Sequence, residues 1–165
     1  MNLHEIPFRD VSFPSAKMDV VTRADGTLLI ESMTKLQDYI ANLPKILADQ
    51  AQTLASKPYL KQRNAEGSWV SVSYAEMFRD SSAVAEWLIR QRFDSGRPML
   101  ILSGNSILHA VFKYGAMAAK VPVCPVSINY ATLGGDYVRL KHVVRLLSPV
   151  VIFAEQTNKF KAALE

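Results

Sequence analysis

A strand–helix–strand pattern between Pro98 and Pro125 constrains the fold more than any other part of the sequence. Met99 to Leu102 is an apolar run too short for a helix and closed by Ser103-Gly104, which is typical of a strand buried on both faces. Apolar residues at three- and four-residue steps then predict a helix, and Val121 to Cys124 is a second short apolar run. Two buried strands joined by one helix form a βαβ unit with parallel strands and, as a rule, a right-handed crossover.

The start and the smooth face of this central helix are also predicted. Asn105 and Ser106 are both suitable as its N-terminal cap. Gly115 and the alanines around it carry little or no side chain, so we expect the helix to pack closely against the sheet. Close packing would offset the cost of about 1 kcal/mol that a glycine imposes inside a helix.

The N-terminal part of the chain is predicted to combine hairpins with one helix. Residues 1–16 show no periodicity and are expected to form an arm. Residues 17–72 contain a turn at Ala24-Asp25-Gly26 between two β-rich runs, a helix opened by Pro44, and a second hairpin with its turn at Asn64 to Gly67.

Residues 73–165 are predicted to be the α/β core of a single partial domain that spans residues 1–165. Ser73 to Glu76 has the spacing of a capping box. After the central unit we expect a polar loop at Ser127 to Gly135, a helix capped by Asp136, and a third buried strand at Val150 to Ala154. The predicted fold class is therefore α/β: N-terminal β-hairpins and helices, then a βαβαβ unit whose largely parallel sheet is covered by helices.

Composition limits the classes of partner. The chain has 165 residues, 49% of them hydrophobic and 21% charged, which suits one folded core. The net charge of +4 is spread without a basic run, so no nucleic-acid partner is predicted. No apolar stretch approaches the roughly 20 residues of a membrane span, and the N-terminus lacks a signal-peptide core, so we expect a cytoplasmic protein without a membrane partner.

Few side chains form a pattern that carries chemistry. Ser106 stands where a nucleophile elbow would place its serine, but Leu108 occupies the position of that motif's second glycine, which leaves a small hydrolase as a minor alternative. His109 and His142 lie on different predicted helices without an acidic residue in a triad or zinc register. The single cysteine, Cys124, allows no disulfide within the chain. We predict no catalytic residue and no metal site.

Several motifs follow one another in order between Trp69 and Phe153. They are the strand and capping box Trp69 to Glu76, the strand-to-helix turn Leu102 to Ser106, and Gly115-Ala116 followed by Val121 to Pro125. This set resembles the N-terminal subdomain of the adenylate-forming superfamily, which includes acyl- and aryl-CoA synthetases, non-ribosomal adenylation domains and luciferases. The stretches ILSGNSILHA, VPVCPVSINY and LKHVVRLLSPVVIFAE are most similar to feruloyl-CoA synthetases.

The resemblance implies a parent enzyme that is a two-step acid–thiol ligase. In such enzymes a carboxylate attacks the ATP α-phosphate, giving an acyl-adenylate and pyrophosphate, and the CoA thiolate then displaces AMP. The parent would use ATP, CoA and Mg²⁺, with a hydroxycinnamate or other aromatic acid such as ferulate as substrate. The rest of the ligase chain would be the partner of this segment.

The resemblance also shows what these 165 residues lack. The family's phosphate loop, adenine motif, ribose-binding aspartate and catalytic lysine are missing, so the chain is not expected to be a complete enzyme or to bind a cofactor tightly alone. Where some relatives place an arginine that faces CoA phosphate, this sequence has Val126-Ser127. By resemblance, Ser127, Ile128, Asn129 and Tyr130 lie near CoA or the substrate.

Two interpretations of function stay open at this point. The leading one is the N-terminal fragment of an ATP-dependent acid–CoA ligase. The alternative is a stand-alone, non-catalytic α/β module that binds CoA, a nucleotide or another protein. Apolar surface left uncovered on such a fragment is expected to promote self-association.

Overall fold

The computed structural model describes residues 11–13, 15, 17–94, 96–133 and 135–165. Apart from residues 11–13 and 15, the predicted N-terminal arm lies outside the described residues. The chain divides into two compact units, Met1–Tyr39 and Ile40–Glu165, and each is described by itself. In the described residues, no helix has both the length and the apolar character needed to cross a membrane.

The first unit contains the predicted hairpin. Strands β1 (Met18–Thr22) and β2 (Leu28–Ser32) pair antiparallel, and every residue of both strands is exposed. Gly26 has φ +84°, the left-handed conformation that glycine adopts most readily, and the Asp25 carboxylate accepts a hydrogen bond from the Thr27 amide at 3.0 Å. The turn chemistry that predicted this hairpin is confirmed.

The second unit alternates helices and strands. Its elements are α1 (Leu43–Thr53), β3 (Pro58–Arg63), β4 (Trp69–Ser73), α2 (Tyr74–Gln91), β5 (Met99–Leu102), α3 (Ile107–Ala118), β6 (Val123–Pro125), α4 (Asn129–Thr132), α5 (Val138–Leu147), β7 (Val151–Ala154) and α6 (Thr157–Leu164). Strands β3 and β4 form an antiparallel hairpin. Strands β5, β6 and β7 form a parallel sheet, so the predicted α/β fold class is confirmed.

The strand order of the parallel sheet is β6-β5-β7, with the apolar run of the central unit in the middle. Met99 pairs with Val123 on one side and with Val151 on the other. All four residues of β5 are fully buried because helices cover both faces of the sheet. Alternate β5 residues belong to different cores: Leu100 and Leu102 with Leu140 and Phe160, and Met99 and Ile101 with Leu88 and Ala116.

Two details of the segment after β6 differ from the sequence prediction. Asn129–Thr132 form the short helix α4 inside the stretch predicted to be a loop, because Ala131 is buried in the core beneath it. The cap position of α5 belongs to Tyr137 and not to Asp136, and Tyr137 has φ 52° and makes no capping hydrogen bond through its side chain. The Asp136 carboxylate nevertheless accepts a hydrogen bond from the Val138 amide, the first of the helix, at 3.4 Å. Both differences depend on packing that local sequence does not encode.

The smooth face of α3 packs against another helix and not only against the sheet. Gly115 is buried against Val84 and Ser81 of α2, and these two helices are extensively packed together. We expected Gly115 to let α3 approach the sheet closely. The close approach is confirmed, but at Gly115 the partner is helix α2 and not the sheet.

Candidate functional site

The candidate site lies at the carboxyl edge of the parallel sheet. The chain leaves β5 through α3 to reach β6 on one side, then passes through α4 and α5 to β7 on the other side. The order of strands therefore reverses at the carboxyl ends of β5 and β7. In open α/β sheets, a crevice at such a switch point is where ligands bind.

Ser106 joins the ends of these two strands. Its hydroxyl Oγ accepts a hydrogen bond from the His109 amide at 3.0 Å, as the N-terminal cap of α3. The same hydroxyl donates to Oε2 of Glu155, the residue after β7, at 2.6 Å. Of the two residues considered for this cap, Ser106 makes the capping bond, while Asn105 lines the adjoining cleft. Because the Ser106 hydroxyl bonds both the His109 amide and the Glu155 carboxylate, it links the start of α3 to the end of β7.

A second serine on the same turn contacts a histidine. Oγ of Ser103, a buried residue, lies 2.8 Å from Nδ1 of His109, which also lies 3.2 Å from the carbonyl oxygen of Gly104. From the sequence, His109 is predicted to be an isolated residue on a helix face, so the pair with Ser103 was not predicted. The six-residue spacing from the end of the strand to the first turn of the helix was the available signal. Burial of Ser103 leaves its hydroxyl without access for a substrate, so the pair orders the turn.

The neighbouring hairpin is attached to this edge through Gln62 of β3. Its side-chain oxygen Oε1 accepts a hydrogen bond from the Ile107 amide at 2.6 Å. Two side chains thus accept hydrogen bonds from amides in the first turn of α3: Ser106, its own cap residue, and Gln62 of the β3 hairpin. Two of the amides that a helix start leaves without intrahelical partners are satisfied in this way.

An open cleft of about 440 Å³ lies between β3, the turn after β5 and the start of α6. Its lining is mostly polar, with three cationic side chains and one carboxylate: Lys61, Gln62, Arg63, Gly104, Asn105, Ser106, Glu155, Gln156, Lys159 and Phe160. We call this the switch-point cleft. Its volume falls within the range of about 300–1,000 Å³ typical of small-molecule sites.

The residues predicted from the resemblance lie at a separate cleft. Ser127, Asn129 and Tyr130 line an opening of about 510 Å³ together with residues at the start of α5. The guanidinium carbon of Arg139 stands 5.8 Å from the centre of the Tyr130 ring. Ile128 differs from the other three because its side chain packs against the core. Proximity of these four residues to CoA or substrate stays a prediction.

Within the described residues there is no group of three or more His, Cys, Asp or Glu side chains placed to hold a metal ion. The polar groups that line the switch-point cleft are hydroxyls, amides, cations and a single carboxylate. Such a set can bind and orient an anionic ligand.

No family model and no curated protein sequence matches this chain. Solved structures do match. A fatty acyl-adenylate ligase from Legionella pneumophila, in complex with acyl adenylate and pyrophosphate, is similar over 71% of this chain with a TM-score of 0.63 and 16% identity. The fold of this chain is therefore similar to part of this ligase.

Two further solved structures have a similar fold. The N-terminal subdomain of NpsA from Klebsiella oxytoca, in complex with anthranilyl-AMSN, is similar over 72% of this chain, with a TM-score of 0.57 and 16% identity. A fatty acyl CoA synthetase from Mycobacterium tuberculosis is similar over 67%, with a TM-score of 0.54 and 18% identity. This chain covers 20%, 28% and 20% of the three solved chains, so it spans less than a third of their length.

Proposed function

We propose that this chain is the N-terminal part of an ATP-dependent acid ligase that forms an acyl-adenylate. The observation that carries the proposal is the fold, a three-stranded parallel sheet with its helices that is similar to the ligase solved with acyl adenylate and pyrophosphate. The ordered motifs from Trp69 to Phe153 support the same assignment. At 14–20% identity the structural likeness shows fold, so activity is the part that we propose.

The chain's own contribution would be to bind and position, because the groups at its sheet edge suit that role. ATP and Mg²⁺ would serve the first step in the complete enzyme, and CoA would be the acceptor in the second. Ser127, Asn129 and Tyr130, which line the second cleft, are the candidates for the CoA or substrate side. The acid would be aromatic, of the hydroxycinnamate type, as the similarity to feruloyl-CoA synthetases implies. The partner would be the remainder of the ligase.

The test uses the full gene product that contains this sequence. ATP–pyrophosphate exchange is measured with ferulate, benzoate and a long-chain fatty acid, and thioester formation is then followed with CoA. We expect exchange that depends on the acid and is strongest with ferulate. If only the fatty acid supports exchange, the proposed aromatic substrate is refuted, while the proposed ligase activity is supported. No AMP production from any acid would refute the ligase.

A matched variant tests the cleft residues. Tyr130→Phe together with Asn129→Ala in the full gene product is expected to raise KM for CoA while leaving ATP–pyrophosphate exchange unchanged. Lys113→Gln, an exposed lysine of α3 outside both clefts, is the control for thioester formation. An equal loss of exchange and thioester formation would place these residues outside the CoA side.

A further inference from the structure

We propose that the switch-point cleft binds a phosphate group. The cleft lies outside the carboxyl ends of β5 and β7, where the strand order reverses. Its walls come from three separate parts of the chain, the β3 hairpin, the turn before α3 and the segment from Glu155 to Phe160. The phosphate loop of the adenylate-forming family is missing from this chain, so the cleft would be an additional site.

Charge is the first argument. Lys61, Arg63 and Lys159 line the cleft together with a single carboxylate, Glu155. The formal charge of the lining is therefore +2, from three cations and one anion. Concave surfaces lined by one sign of charge concentrate ions of the opposite sign.

The availability of these cations is the second argument. In the described part of the chain, none of the three makes an ion pair with a carboxylate. Glu155, although it lines the same cleft, accepts a hydrogen bond from Ser106. The cationic groups thus keep their capacity for an external anion.

Arg63 is also held in place before any ligand arrives. Its guanidinium donates to the carbonyl oxygen of Gly67 at 2.8 Å, and its central carbon stands 4.8 Å from the centre of the Trp69 ring. One guanidinium nitrogen is used in this way, which leaves further N–H donors for an oxyanion. A braced guanidinium loses little side-chain freedom on binding.

The number of donors points to phosphate in preference to a carboxylate. A dianionic phosphate offers more acceptor oxygens and more charge to three cations than a monoanionic carboxylate does. The Asn105 and Gln156 side chains, which also line the cleft, add neutral donors. The phosphate could be free inorganic phosphate or the phosphate of a nucleotide, and the chemistry recognised is the same.

Binding is tested on the 165-residue chain by ¹H–¹⁵N correlation spectra during titration with inorganic phosphate, AMP and acetate. We expect the largest shift changes at Lys61, Asn105 and Lys159, tighter binding of phosphate than of acetate, and weakening with added salt. Tighter binding of AMP than of phosphate identifies a nucleotide as the source. Equal binding identifies the phosphate group alone.

Variants that remove either a positive or a negative charge from the cleft are expected to change phosphate binding in opposite directions. Lys61→Gln and Lys159→Gln are each expected to weaken phosphate binding by about threefold, the effect of one partly solvated charge. Glu155→Gln is expected to strengthen it by about threefold, because a negative charge is removed while an amide oxygen stays available to Ser106. Lys113→Gln, an exposed lysine of α3 outside the cleft, is the control.

Three results would overturn the proposal: acetate bound as tightly as phosphate, Lys113→Gln weakening binding as much as the cleft variants, or no shift changes at the cleft. Circular dichroism of each variant confirms that it is folded. The measurement needs no ligase activity. Failure of the phosphate site and failure of the proposed function are therefore separate outcomes.

Discussion

Gly115 of α3 lies so close to Val84 of α2 that a Cβ atom on the glycine would stand 2.6 Å from the valine Cβ. The same added atom would lie 2.8 Å from the backbone carbonyl oxygen of Ser81. Backbone cannot move aside as a flexible side chain can. The glycine therefore sets how closely the two helices pack beside the sheet.

Replacing this glycine is expected to destabilise the fold. Gly115→Ala should lower the free energy of unfolding by about 1–3 kcal/mol, because overpacking outweighs the gain in helix propensity. Gly104→Ala is the matched control, since nothing lies within 4 Å of its added Cβ. Urea unfolding of both variants measures the difference. Equal stabilities would contradict the tight packing.

The capping box at the start of α2 predicts a dependence on acid. Hydrogen bonds from the backbone and side chain of Ser73 lower the pKa of Glu76 below its ordinary value of 4.5. A lowered pKa in the folded state stabilises the protein above pH 4.5, and this contribution is lost as pH falls through the lowered value. Thermal melts of Glu76→Gln should show less loss of Tm on acidification than the wild type.

The cap itself is tested by removing the hydroxyl of Ser73. Ser73→Ala should cost about 1 kcal/mol, because the Glu76 amide loses its partner. Ser73→Thr keeps the hydroxyl and should restore most of the stability. If the alanine and threonine variants melt alike, the capping box is not contributing.

A pair of tyrosines links β3 to α3. The hydroxyl of Tyr59 donates to that of Tyr114 at 2.8 Å, and burial, together with this hydrogen bond, raises the pKa of Tyr59 above its ordinary value of 10.0. The folded state therefore keeps this stabilisation below pH 10 and loses it as pH rises through the raised value. An absorbance titration should show one tyrosine that ionises at higher pH than the others, and this tyrosine should be missing in Tyr59→Phe. The same variant should lose about 1 kcal/mol of free energy of unfolding, because the hydrogen bond to Tyr114 is lost.

Ser106 is expected to matter more than its neighbour Asn105. Ser106→Ala removes both the cap of α3 and the tie to Glu155, and we expect a loss of about 1–2 kcal/mol. Asn105→Ala should change stability little, because among the described residues its side chain makes no hydrogen bond. Denaturant unfolding of the two variants decides the comparison. A larger loss of stability in Asn105→Ala than in Ser106→Ala would show that Ser106 is not the cap.

Self-association is expected from the uncovered edge of β7. An apolar groove of about 670 Å³ runs beside this strand, where Trp87 and Ile152 are 45% and 38% exposed. Sedimentation velocity should show mass that grows with concentration, and Ile152→Lys should reduce it. A monomer at all concentrations would refute this expectation.

Local sequence chemistry predicted the elements of this fold well. Short apolar runs predicted the strands of the parallel sheet, and Ser73 with Glu76 predicted the start of α2. The site was less accessible from sequence. Ser106 meets Glu155 across 49 residues, and Gln62 meets Ile107 across 45, so these partners follow from strand register and packing and have no local signal. Helix α4 was missed because Ala131 is stabilised by burial and not by helical periodicity.

The middle position of β5 has a consequence for how the protein is made. Its pairing with β6 joins Met99 to Val123, whereas its pairing with β7 joins Met99 to Val151, which lies further along the chain. On a ribosome, β5 and β6 emerge first, and one side of an apolar strand then stays without hydrogen-bonding partners until β7 has been synthesised. A nascent chain paused in that interval exposes an edge that can capture other strands, so the pace of translation through α5 bears on the yield of folded protein.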